Sequence, residues 1–168
     1  MVLAVGVLAV GLVGLAVGQE KKFAPKDGKF AVQFPGAPQS STKSAQKTEL
    51  HIYSVAKEKE KANFLVIYSD MPADVIKGST PEAVLKTGEE GLVNFYKAKI
   101  TKATETKFKS GGKEYPAREI VADKGDGQIR LLLILAGNRL YQVLVIGTKE
   151  QASGKEADDF IKSFEITG

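Results

Sequence analysis

Apolar and polar residues recur along this chain with periods that assign most of its elements. Phe30, Val32 and Phe34 occupy alternate positions after an Asp27-Gly28 turn, and Pro35-Gly36-Ala37-Pro38 stops the run, so a strand is expected over residues 29–34. Residues 39–47 are polar without apolar periodicity and read as an exposed loop or an extended edge. Alternation returns over 48–57, where Leu50, Ile52 and Ser54 oppose His51, Tyr53 and Val55. After a charged turn at 57–61, residues 63–69 are apolar on both faces, which is the pattern of a strand covered on both sides.

Three or four further strands are expected in the second half. Residues 99–108 are polar and alternating, and Gly111-Gly112 turns them into 113–122, where Pro116 argues for an edge position or a bulge. Another turn at 123–127 leads into 128–136. The two-residue hairpin signal Gly137-Asn138 then returns the chain as 139–146. These last two runs are apolar at nearly every position and belong in the middle of a sheet.

Two segments carry helical spacing. Thr80-Pro81-Glu82 is a helix start: a hydroxyl acceptor, a residue with no N–H to lose, and a carboxylate at the positive dipole end. Val84, Leu85, Gly88, Leu92 and Tyr96 follow on one side, with Gly88 expected to allow close approach to the sheet. Near the end, Ser153 and Glu156 have the spacing of a capping box, and Ala157, Phe160, Ile161 and Phe164 form one apolar stripe. The expected fold class is α+β: a twisted antiparallel sheet of about six to seven strands with two main helices, one on each face, as an α/β/α sandwich.

One stretch stands apart from these periods. Residues 1–18 hold no charge and consist almost wholly of Val, Leu, Ala and Gly, and Gln19-Glu20-Lys21-Lys22 then opens a charge-rich chain. This run is slightly short for a membrane span, and Ala16-Val17-Gly18 offers small residues for a signal peptidase, so export with cleavage before Gln19 is expected. Because the sequence does not open with the basic residues of a secretory signal, either a true start upstream or a membrane anchor is the alternative. Residues 19–168 then form a single globular domain, periplasmic or extracellular, with residues 1–18 as the possible tether. Its 24 basic and 20 acidic residues give a net charge of +4, too modest and too spread to single out a polyanion.

Composition removes whole classes of chemistry. Without cysteine there is no lipoprotein anchor, thiol nucleophile or thiolate metal site, and the single histidine, His51, cannot supply a histidine-rich centre. No cofactor is expected. Gly154-Lys155 lacks the Ser or Thr of a phosphate loop, and residues 123–127 lack the closing Glu of a calcium loop. The surface feature with functional potential is the basic series Lys97, Lys99, Lys102, Lys107, Lys109 and Lys113, of which Lys97, Lys99, Lys107 and Lys109 are expected to share one strand face. Such a row suits an anionic partner or lipid head group, and equally protects an exposed edge from pairing. Aromatic residues are not interleaved with it, so nucleic acid is not expected as a partner. A second candidate gathers Tyr115, Arg118 and Glu119 as a site assembled in three dimensions.

The order of elements resembles the PsbP-like superfamily, which includes extrinsic photosystem II subunits, a yeast Ran-binding nuclear import factor and exported bacterial domains. The residues that carry the resemblance are Phe30-Ala31-Val32-Gln33-Phe34-Pro35-Gly36-Ala37-Pro38, Gly137-Asn138-Arg139-Leu140-Tyr141-Gln142-Val143 and Ala157-Asp158-Asp159-Phe160-Ile161-Lys162-Ser163-Phe164. The resemblance implies a binding or assembly module without a shared catalytic site, and it transfers no functional residue. The expectation is therefore an exported, non-enzymatic domain that binds an unknown protein or envelope component. An enzyme assembled only in space and lysine-mediated membrane binding are the alternatives.

Overall fold

The computed structural model describes residues 22–45 and 48–168; the expected export segment and its cleavage point lie outside them. In chain order the elements are β1 (Phe30–Ala31), β2 (Gln39–Ala45), β3 (Thr48–Lys57), β4 (Ala62–Asp70), α1 (Ala73–Lys77), α2 (Pro81–Tyr96), β5 (Lys99–Ser110) and β6 (Lys113–Lys124). There follow β7 (Gly127–Ala136), β8 (Arg139–Thr148), α3 (Lys149–Ser153), α4 (Lys155–Ser163) and β9 (Glu165–Ile166). Seven strands form one antiparallel sheet in the order β2-β3-β4-β8-β7-β6-β5, and β1 pairs with β9 beside it. Two hairpin runs, β2-β3-β4 and β5-β6-β7-β8, thus meet where β4 pairs with β8.

The apolar strands sit where their patterns require. β8 is the central strand, with β4 and β7 on either side. On one face Phe64, Val66, Tyr141, Val143, Leu132 and Ile134 pack against Phe160 and Phe164 and the incoming Phe30, Val32 and Phe34. On the other, Ile67, Leu131, Leu133, Leu140 and Leu144 pack against Val84, Leu85 and Leu92 of α2. Each fully buried Leu, Ile or Phe side chain contributes about 1.5–3 kcal/mol through its removal from water, so two such layers dominate the stability.

The start of the described chain is tied down by the central strand. Tyr141 Oη donates to the Gly28 carbonyl at 2.9 Å, and Arg139 Nη1 donates to the carbonyls of Asp27 at 2.7 Å and Gly28 at 3.1 Å. These bonds deliver Phe30 into an aromatic cluster. Its ring stacks on Phe164 with centroids 5.5 Å apart and meets Tyr141 edge-on at 6.2 Å. The positive φ of this turn belongs to Lys29, at 51°, and not to Gly28. Glycine is needed at 28 for room, since a Cβ there would lie 2.6 Å from the Phe30 ring.

Several expectations change. The strand over 29–34 shrinks to β1, because only Phe30 and Ala31 pair with β9; yet Phe30, Val32 and Phe34 all reach the core as their alternation predicted. Of the two expectations for the polar stretch after Pro38, the extended edge holds, as strand β2. Pro116 is neither at a sheet edge nor in a bulge: β6 lies inside β5, and its pairing with β7 begins only at Ala117. Proline therefore stands just beyond the last β6–β7 pair, on a part of β6 that is paired only with β5, although β7 itself runs on to Ala136. The capping box is not Ser153 with Glu156 but Thr148 with Gln151, which starts α3, while α4 begins after Gly154 without a side-chain cap. Ser153 Oγ instead donates to the Lys149 carbonyl at 2.7 Å, because an intervening helical turn has claimed it.

The start of α2 is as expected: Thr80 Oγ1 accepts from the Ala83 N–H at 3.2 Å. A Cβ on Gly88 would meet Leu140 Cδ2 at 3.1 Å, whereas one on Gly91 would meet nothing within 4 Å. Gly91→Ala should therefore raise stability by about 1 kcal/mol, the full difference in helix propensity. Gly88→Ala should give a smaller gain or a loss, because Leu140 must move. Chemical denaturation of the two variants checks the ordering.

Candidate functional site

The lysine series is reorganised by one extra residue in β5. Ile100 pairs with Ala122 and Lys102 with Val121, so Thr101 is a bulge that shifts the alternation of everything after it. Its Oγ1 donates to the Val121 carbonyl at 3.1 Å. Lys99 and Lys102 consequently face the α3 and α4 side, while Lys107 and Lys109 face the α2 side. Lys97 is not in the strand at all, since it ends α2 with φ 51°. The expected common face of Lys97, Lys99, Lys107 and Lys109 is therefore absent.

Pairing divides the series further. Glu114, across the hairpin, takes Lys107 Nζ at 3.4 Å and Lys109 Nζ at 3.0 Å, and the two ammonium groups, Lys109 foremost, hold its carboxyl below the usual carboxylate range. No ion pair within the described residues engages Lys99 or Lys102; Asp123, the register partner of Lys99, is held instead by Lys149 at 3.5 Å and by Gln128 at 3.2 Å. Two positive charges are thus left free on one face.

Tyr115, Arg118 and Glu119 do not converge. Arg118 faces α2, where its Nε donates to buried Glu89 and its Nη1 to Glu105 at 3.1 Å. Removing one member of such a pair strands the other charge in a dry site, so this network is a structural tie between α2 and the β5–β6 hairpin. Tyr115 and Glu119 lie on the opposite face, four residues apart, with Tyr115 packed against the aromatic layer. His51, half-buried, stacks on Tyr68 with centroids 4.6 Å apart.

Glu119 and Lys102 meet instead at a cleft of about 280 Å³ between the β5–β7 part of the sheet and the α3–α4 segment. Val121, Leu132 and Ile161 give it apolar walls, and Gln128, Arg130 and Ser153 add polar groups. One guanidinium nitrogen of Arg130 is held by Asp158 of α4. Sequence reasoning named Lys102 and Glu119 separately and missed Arg130; the available signal was a lone cation within the apolar run of β7. Among the described residues there is no group of three or more His, Cys, Asp or Glu able to hold a metal ion. None of the described helices is long and apolar enough to cross a membrane.

No family model matches the chain, and neither does any curated protein. Among solved structures, cyanobacterial PsbP (CyanoP) from Synechocystis sp. PCC 6803 superposes with a TM-score of 0.59, covering 94% of this chain and 97% of its own at 14% identity. The chain has a PsbP-like fold. A Bacteroides thetaiotaomicron structure matches at a TM-score of 0.36 and 16% identity over 88% of this chain and 48% of its own. The likeness to cyanobacterial PsbP extends over nearly the full length of both chains and is one of fold, at 14% sequence identity.

The opposite end of the sheet carries a bidentate ion pair. Arg139 grips both carboxylate oxygens of Asp70 at 2.7 Å, and its guanidinium lies 4.4 Å from the Tyr68 ring centre. Hydrogen bonding to Arg139 holds the Asp70 carboxyl below its ordinary range. Burial pushes the Tyr68 hydroxyl up to about 12 and raises Tyr96 and Tyr141 as well. A raised folded value means that the neutral phenol favours the native state. This contribution is complete below the ordinary tyrosine value of about 10 and is lost as pH rises toward 12. Following tyrosinate absorbance in native and denaturant-unfolded protein should show native ionisation delayed and coincident with alkaline unfolding; identical titrations of the two states would contradict it.

Proposed function

We propose that the chain is an exported, non-catalytic domain that binds a partner or supports an assembly at the cell envelope. The observation that carries this reading is the allocation of charge. Arg118 is tied to Glu89 and Glu105, and Lys107 and Lys109 are paired with Glu114, whereas Lys99 and Lys102 are brought to one face by the bulge and left unpaired, Lys102 in the wall of a cleft. The uncharged run over residues 1–18 supports export, and the resemblance to PsbP-like proteins supports a binding role over a catalytic one. With a photoreactive side chain at position 102, the protein should give a discrete adduct in the host's envelope fraction, diminished by Lys99→Glu. The same label at exposed Lys59 should give none. Equal labelling from both positions would overturn the binding reading, and a hydrolase or transferase activity abolished by His51→Ala would overturn the non-catalytic one.

A second reading, docking on an anionic lipid surface, has its own observation at the end of α2. Phe95 is 75% exposed and meets Tyr96 edge-on at 4.9 Å, Lys124 lies 5.9 Å over the Tyr96 ring, and Lys97 follows directly. An exposed aromatic beside lysines suits the head-group boundary. On this reading, the full chain sediments less with phosphatidylglycerol vesicles when salt is raised or when Phe95→Ser is introduced. Indifference to both counts against it.

A further inference from the structure

We infer that the cleft between β6, β7 and α4 binds a small zwitterion with an aliphatic body, its carboxylate held between Lys102 and Arg130 and its ammonium by Glu119. This rests on reading that surface as a binding site. The argument begins from two opposite charges that stand near each other without pairing. Lys102 is opposite Val121 and Thr104 is opposite Glu119, so Lys102 and Glu119 are diagonal neighbours on one face of adjacent strands, about 7–8 Å apart at Cα. Both line the cleft, and neither enters an ion pair with the other or with any described residue. A ligand that carries both charges closes that gap from each side.

The rest of the cleft fits the same chemistry. Arg130 is fixed by Asp158 through one nitrogen, which orients a guanidinium that has five N–H donors in all. A positioned fork of this kind suits a carboxylate. Val121, Leu132 and Ile161 supply the surface for an aliphatic side chain. The volume of about 280 Å³ lies just below the range of typical ligand pockets, about 300 to 1,000 Å³, so an amino acid or a dipeptide matches it and a nucleotide or sugar chain does not. A dianion is disfavoured by Glu119, and a simple cation by Lys102 and Arg130.

The test titrates the full chain, followed by nuclear magnetic resonance, with leucine, leucyl-leucine, N-acetyl-leucine and leucinamide. Leucine or leucyl-leucine should give saturable shifts at the Gln128 side-chain amide and around Arg130, with the tighter of the two assigning a free amino acid or a peptide. N-acetyl-leucine and leucinamide, each lacking one charge, should bind about tenfold more weakly than leucine. Glu119→Gln should erase the preference over N-acetyl-leucine, and Lys102→Gln should reduce the preference over leucinamide, Arg130 still holding the carboxylate. Because both substitutions are at the surface, unchanged thermal unfolding identifies intact variants. Absence of saturable shifts with all four compounds, or N-acetyl-leucine binding as tightly as leucine, would overturn the inference. Either result leaves the envelope cross-linking at position 102 standing, and loss of that cross-linking leaves the titration unaffected, so the two readings fail separately.

Discussion

Three adjacent strands, β4, β8 and β7, present apolar side chains on both faces, and no arrangement with one solvated face can accommodate them. The rest of the structure answers that constraint. One face is closed by α2, tied through Arg118 and Glu89; the other is closed by α4 together with an aromatic segment that arrives from before the sheet begins. The outer strands β2 and β5 have little apolar surface to bury. They are left as polar edges, with β5 carrying the bulge and lysines that discourage pairing with another chain.

Periodicity made this architecture legible where each element reports its own environment. The double-sided apolar runs located the sheet centre, and Thr80-Pro81 located the start of α2, because each is a local consequence of burial or capping. What could not be read depended on partners distant in sequence. The pairing of Phe30 with Ile166 has no local signature, and the true capping box at Thr148 was obscured by a second plausible one five residues later. The bulge at Thr101 is the sharpest case. An alternating polar strand looks the same with or without one extra residue, yet that residue decides which lysines share a face.

The same bulge explains why the candidate site was legible only in pieces. Lys102 and Glu119 were each visible as charged residues, but Glu119 had been grouped with Arg118, which points the other way, and Lys102 with lysines that Glu114 neutralises. A surface charge acquires meaning from what fails to neutralise it, and that is a property of the folded register. A fold shared at only 14% identity is consistent with this, since a core asks for size and apolarity while the register decides which surface charges meet.

The pairing of β1 with β9 joins the beginning of the domain to its end, with the Lys29 carbonyl accepting from the Thr167 N–H at 3.0 Å. Loop closure over nearly the whole chain is among the last contacts entropy allows, and it is impossible before residue 166 exists as free polypeptide. Phe30 consequently waits for its Phe164 neighbour until that part of the chain has been made. A fold organised in this way keeps one of its two apolar layers open until residues 164–166 dock, so the closing of that layer couples two segments more than a hundred residues apart.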